Sequence, residues 1–172
     1  MTYLQLITVV HTAICFAAIG AGVVAVAGLF RSDGYPGWTR WFLILAAAVS
    51  ITGYVFPFQG ITPAVIVGVI ALAVIALVLF AVYRFRLAGR WRGVYAAGLV
   101  ASLYFLVFVS IAQAFQKIAP LNRLAPTQSE PPFAIAQGIA LLLFLILGWR
   151  ATLRFQPLAI NRRKAEAEGF AP

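Results

Sequence analysis

ITPAVIVGVIALAVIALVLFAVY, residues 61–83, carries no charged side chain, and beyond Pro63 its only polar side-chain atom is the Tyr83 hydroxyl. Crossing the hydrocarbon core of a bilayer takes about 20 apolar residues in a helix, and this run supplies them. The run is continuous rather than alternating. It therefore reads as a transmembrane helix, not as a strand of a membrane barrel.

The flanks place it in a series. Upstream, Pro57-Phe58-Gln59-Gly60-Ile61-Thr62-Pro63 is an uncharged, Gly/Pro-punctuated hairpin, and such punctuation ends a helix. It separates residues 61–83 from a second apolar run, 38–56. The two together are far too long for one span. Downstream, Arg84-Phe85-Arg86-Leu87-Ala88-Gly89-Arg90-Trp91-Arg92 is a basic loop. Three further runs of spanning length follow the same logic, at 3–30, 93–116 and 132–149. The expected fold is an all-α bundle of five transmembrane helices in a single domain, 1–172, with a tail over 150–172.

Composition agrees. Hydrophobic residues make up 63% of the 172 positions and charged residues 10%, where a soluble domain carries about 25% charged. That leaves too little polar surface for a water-soluble, disordered or disulfide-stapled chain. The net charge of +9 does not read as a nucleic-acid surface, because the basic residues lie between apolar runs. They read as loop charges that hold orientation and meet anionic lipid head groups. One Cys and one His offer no disulfide and no metal site, and no cofactor is expected.

Alternate connections share a face of the membrane. Arg31, Arg40, Arg84, Arg86, Arg90, Arg92, Arg150, Arg154, Arg162, Arg163 and Lys164 fall on one face, eleven in all; Lys117 and Arg123 fall on the other. The positive-inside rule makes the first face cytoplasmic, with the N-terminus outside and the C-terminus inside. Trp38, Trp41, Trp91 and Trp149 all fall at the same ends, where indole rings favour the interface. With Arg84, Arg86, Arg90 and Arg92 they are the expected interface anchors. Ala25-Val26-Ala27 has the form of a signal-peptidase site, but no basic segment precedes it and the apolar run is long for a signal peptide. Retention of the first helix is the expectation, and cleavage the alternative.

Small residues four apart, which let helices approach closely in lipid, recur at Ala17/Ala21/Ala25, Ala18/Gly22, Ala64/Gly68, Gly93/Ala97/Ala101 and Gly98/Ser102.

Apart from Arg40, at the edge of the second run and counted with the loop charges, no Asp, Glu, Lys or Arg falls within a span, which argues against a proton pump or voltage sensor. The neutral polar residues gather toward the outer face: Gln5, Thr8, His11 and Thr12; Tyr54 and Gln59; Ser110, Gln113 and Gln116; and Gln137. Thr8, His11 and Cys15 share a helix face, as do Ser110, Gln113 and Gln116. The simpler reading is hydrogen bonding between helices. The functional reading is an outward-opening ligand pocket lined by the first, fourth and fifth helices, using His11, Thr8, Tyr54, Ser110, Gln113, Gln116 and Gln137. Ser129 is the expected N-cap of the last helix, with Glu130 and two prolines in its first turn. An ion pair of Glu130 with Lys117 or Arg123 is the alternative use of that carboxylate.

The segment Tyr104–Phe133, with Gln113-Ala114-Phe115-Gln116-Lys117 and Leu124-Ala125-Pro126-Thr127-Gln128-Ser129-Glu130-Pro131-Pro132-Phe133, resembles a segment of small multispanning bacterial inner-membrane proteins to which no activity is assigned. The first helix, with His11 and a glycine-containing small-residue stretch, is similar to their start. The resemblance implies a bacterial inner membrane and no particular chemistry. The expected function is a non-enzymatic module that binds a small or lipidic ligand, or a membrane partner, through the outer polar cluster. A subunit of an oligomeric transporter or channel is the second reading. A membrane enzyme is the third, for which no acid, metal or nucleophile constellation speaks.

Overall fold

The computed structural model describes residues 3–31, 36–55 and 63–156. Among them it forms helices and no strand: α1 (Tyr3–Phe30), α2 (Pro36–Gly53), α3 (Pro63–Tyr83), α4 (Trp91–Lys117), α5 (Ala119–Leu124) and α6 (Pro131–Arg154). Four of these, α1, α3, α4 and α6, are long and apolar enough to cross a membrane. The 18-residue α2 falls outside that group, because Pro36, Gly37, Thr39 and Arg40 dilute its first turns. The hairpin at 57–62 and the basic cluster Arg162, Arg163 and Lys164 lie outside the described residues.

The surface is what lipid demands. On α6 the side chains of Ile135, Ile139, Leu142, Leu143, Leu145 and Ile146 are all exposed. Such a face would be a liability in water and costs nothing against acyl chains.

The interior is built from small residues. Ala18, Ala21, Gly22, Ala25 and Leu29 form the buried face of α1. They pack into one core with Phe42, Ala46 and Val49 of α2 and Leu99, Leu103 and Leu106 of α4. The glycines matter at two places. A Cβ on Gly22 would lie 2.7 Å from the Phe42 ring and 2.8 Å from Leu103, and one on Gly98 would overlap Val78 of α3. The pairs Ala18/Gly22 and Gly98/Ser102 are therefore true packing sites. Ala17 and Ala97 are exposed, so their fourfold spacing does no packing in the bundle. The main contacts run α1–α2, α2–α3, α3–α4 and α4–α1, a ring of four helices, with α6 outside it against α4 and α1.

Two connections differ from expectation. The helix α4 begins at Trp91 rather than Gly93, because Trp91 stacks on Phe85 (centroids 3.9 Å apart, planes at 6°) and meets Phe80 edge-on. The chain turns there through left-handed Arg86, Leu87 and Gly89. The connection after Lys117 holds the short α5 and is tied back to α4. Asn122 Nδ2 donates to Phe115 O at 3.2 Å and Gln128 Nε2 to Ala112 O at 2.7 Å. Phe115 O is one of the last carbonyls of α4, which lack intrahelical partners and are satisfied in this way.

Ser129 is not the cap of the last helix. Glu130 occupies that position, with Pro131 and Pro132 following and no side-chain cap bond. Ser129 Oγ hydrogen-bonds Thr127 Oγ1 instead. The Glu130 carboxylate folds back to accept from the Thr127 N–H (3.1 Å), the Thr127 hydroxyl (2.9 Å) and the Ser129 N–H (3.1 Å). Neither Lys117 nor Arg123 pairs with it. At its far end α6 runs past Trp149 to Arg154, since Arg150 and Arg154 are good helix formers that end a hydropathy window without ending a helix.

Candidate functional site

Inside the ring of α1 to α4, toward one end, lies a cavity of about 770 Å³. Its deep wall is apolar, from Ala46, Ala71, Ile75 and Leu106; its mouth carries Gln113, Gln116, Lys117 and Ile118. Gln116, Lys117 and Ile118 are exposed, so the cavity is open. Of the seven site residues expected from sequence, six line it: Thr8, His11, Tyr54, Ser110, Gln113 and Gln116.

The seventh, Gln137, does not. It sits buried on α6 and donates from Nε2 to Phe108 O at 3.1 Å. Its Oε1 has no hydrogen-bond partner among the described residues. The walls come from α1, α2, α3 and α4, which corrects the expected trio of first, fourth and fifth long helices. The antiparallel order brings the end of α2 and the start of α3 to this end, whereas α6 packs against α4 and α1 outside the ring.

The polar groups are arranged by their own helices. The Thr52 hydroxyl donates back to Ala48 O at 2.7 Å, as Ser and Thr do inside helices. It also lies 2.9 Å from His11 Nδ1. A hydroxyl has one proton, so toward His11 it accepts. This pairing corresponds to the His11 tautomer with its proton on Nδ1. Ser110 behaves likewise: it donates to Leu106 O at 2.8 Å, so in its 3.6 Å contact with Cys15 the thiol is the donor. Ser50 and Ser102 bond Ala46 O and Gly98 O. Tyr54 reaches across from the end of α2 and donates to Val65 O on α3 at 3.3 Å. Its hydroxyl lies 2.9 Å from where a Cβ on Gly68 would stand, so Gly68 makes room for the crossing.

The hydroxyls of the inner wall are thus satisfied by backbone carbonyls. The amides of Gln113 and Gln116, nearer the mouth, make no hydrogen bond among the described residues. Neither does the Lys117 ammonium, which sits at the C-terminal end of α4 where its charge suits the helix dipole. No group of three or more His, Cys, Asp or Glu side chains occurs among the described residues.

Thr52, Lys117 and the α3 wall were not among the site residues expected from sequence. A Thr two residues before Tyr54 carries no signal of its own. Only the antiparallel pairing of α1 and α2 sets it against His11. Comparison of the chain with protein-family models, curated proteins and solved structures gives no match, so the geometry alone carries the functional reading.

Proposed function

We propose that the chain is a multi-pass protein of a bacterial inner membrane, with five spans, the N-terminus outside and the C-terminus in the cytoplasm. It binds a small or lipidic ligand in the cavity of α1 to α4 and performs no chemistry on it. One observation carries this reading: an open cavity of about 770 Å³, within the roughly 300–1,000 Å³ of ligand pockets, with apolar walls and few polar groups.

A pore within one chain is disfavoured. Beyond Ser102 the ring is filled by Phe42, Leu29, Leu99 and Leu103, so the cavity is blind. The loop arginines Arg84, Arg86 and Arg90 are exposed and, with Arg92, meet anionic head groups on the cytoplasmic face. Trp38, Trp41 and Trp149, also exposed, sit at the same interface.

Ala71 is a buried wall residue, so Ala71→Phe would place a ring in the space. Native mass spectrometry of protein extracted from membranes should show a bound adduct on the wild type and none on the folded variant. An identical adduct on both, or none on the wild type, would sink the reading.

A further inference from the structure

The cavity is polarised along its length, and the polarity specifies a ligand. Ser102 and Lys117 both line it, about 22 Å apart by helix rise. The deep part is walled by Ala46, Ala71, Ile75 and Leu106, small or smooth side chains that present no unsatisfied polar group. A ligand gains there only by burying apolar surface. The groups with unused hydrogen-bonding capacity are at the other end, in Gln113, Gln116 and Lys117.

Charge decides the head. Among the described residues Glu130 is the only carboxylate, and it is taken up by Thr127 and Ser129. Among the described residues the Lys117 ammonium therefore stands at the mouth without an acidic partner. From this we infer that the ligand is a single long-chain anionic amphiphile, its tail between the deep walls and its carboxylate or phosphate at Lys117. The amides of Gln113 and Gln116 donate to the remaining head-group oxygens. This inference rests on the ligand-binding reading above and adds the chemical class and direction of entry.

The test uses the full chain in phosphatidylcholine nanodiscs, with a fluorescent fatty acid as tracer. Palmitate, lysophosphatidate, hexadecanol and hexadecyltrimethylammonium compete for it. The two anionic chains should displace the tracer, and their ranking identifies a carboxylate or a phosphate head. Hexadecanol should compete about fivefold less well than the better anion, the size of about 1 kcal/mol for one basic residue near an anionic head group. The cationic chain should compete least. Lys117→Gln should erase the preference for anions and Lys117→Arg should keep it. Lys117 is exposed, so neither variant disturbs the core. Equal competition by hexadecanol and the anions, or an anionic preference that survives Lys117→Gln, overturns the head-group inference and leaves the ligand-binding reading standing. Failure of the tracer and of every chain to bind overturns both.

Discussion

The Thr52 hydroxyl has one proton, and Ala48 O takes it; His11 Nδ1–H then has Thr52 Oγ1 as its acceptor at 2.9 Å. Replacing Thr52 by Val keeps the shape and removes that acceptor. Hydrogen bonds between membrane helices are worth about 0.6 kcal/mol on average, up to about 1.7. Thr52→Val should lower stability by an amount in that range, and Thr52→Ser should restore it, in detergent-driven unfolding. A Val variant as stable as the wild type would mean the pair does not hold α1 to α2. Outside the bundle, Glu130 offers a test by pH. Desolvation pushes its carboxyl up, but bonds from the Thr127 N–H, its own N–H, the Thr127 hydroxyl and the Ser129 N–H outweigh that, and the carboxyl lies below its ordinary 4.5. A depressed carboxyl contributes stability above its unfolded value and loses it as pH falls through its folded value. Unfolding measured from neutral pH downward should therefore show a loss below about pH 4.5 that Glu130→Gln flattens. Equal pH profiles would show that the carboxylate is not held in the folded chain. The polar cluster at the cavity end was legible from residue type and depth, because His, Gln and Tyr stand out in an apolar run. Thr52 and Ser129 were not, since a hydroxyl's role depends on which carbonyl or amide lies beside it in space.

Helix by helix, the period of small residues in α1 carries the packing, and two glycines in that helix separate the effects. Gly22 faces Phe42 and Leu103 so closely that a Cβ would stand 2.7 Å and 2.8 Å from them. Gly22→Ala should cost on the order of 1–3 kcal/mol through forced displacement of the ring or the helix. Gly20 is exposed and a Cβ there meets nothing within 4 Å. Gly20→Ala should be neutral or stabilising by up to about 1 kcal/mol, the difference in helix propensity. The two variants differ by two positions and one face. Equal stabilities in the same unfolding assay would refute the face assignment. Spacing alone offered Ala17/Ala21/Ala25 and Ala18/Gly22 as equals, because a repeat of four marks a stripe without saying which stripe meets another helix. The ends of the elements were blurred for a related reason. Hydropathy stops at charged Arg92 and Arg150, whereas the helices continue through Arg92 and on to Arg154.

For the molecule as a whole, the open quantity is the number of crossings, and it turns on α2. Continuous apolar runs made a helical membrane bundle legible from sequence; the weak hydropathy of the first turns of α2 left its crossing to the packing. His11 meets Thr52 and Gly22 meets Phe42, so moving up α1 by about 15 Å moves down α2 by about the same. The two helices run antiparallel over the same depth, which favours a crossing of α2 beside α1. The far end agrees: Tyr95 at the start of α4 packs on Phe155 just after α6, with centroids 5.3 Å apart. Arg154 is thereby set at the same end as the loop of Arg84, Arg86 and Arg90, while Lys117 and Arg123 sit at the cavity end. Reporter fusions at Gly34, Gly60 and Gly89 test the consequence; Gly34 and Gly60 lie outside the described residues. With five spans and the basic end in the cytoplasm, they should read inside, outside and inside. Gly34 and Gly60 reading the same side would make α2 a non-crossing helix and leave four spans. The reversed pattern, outside, inside and outside, would keep the five spans, overturn the orientation, and turn the cavity mouth toward the cytoplasm.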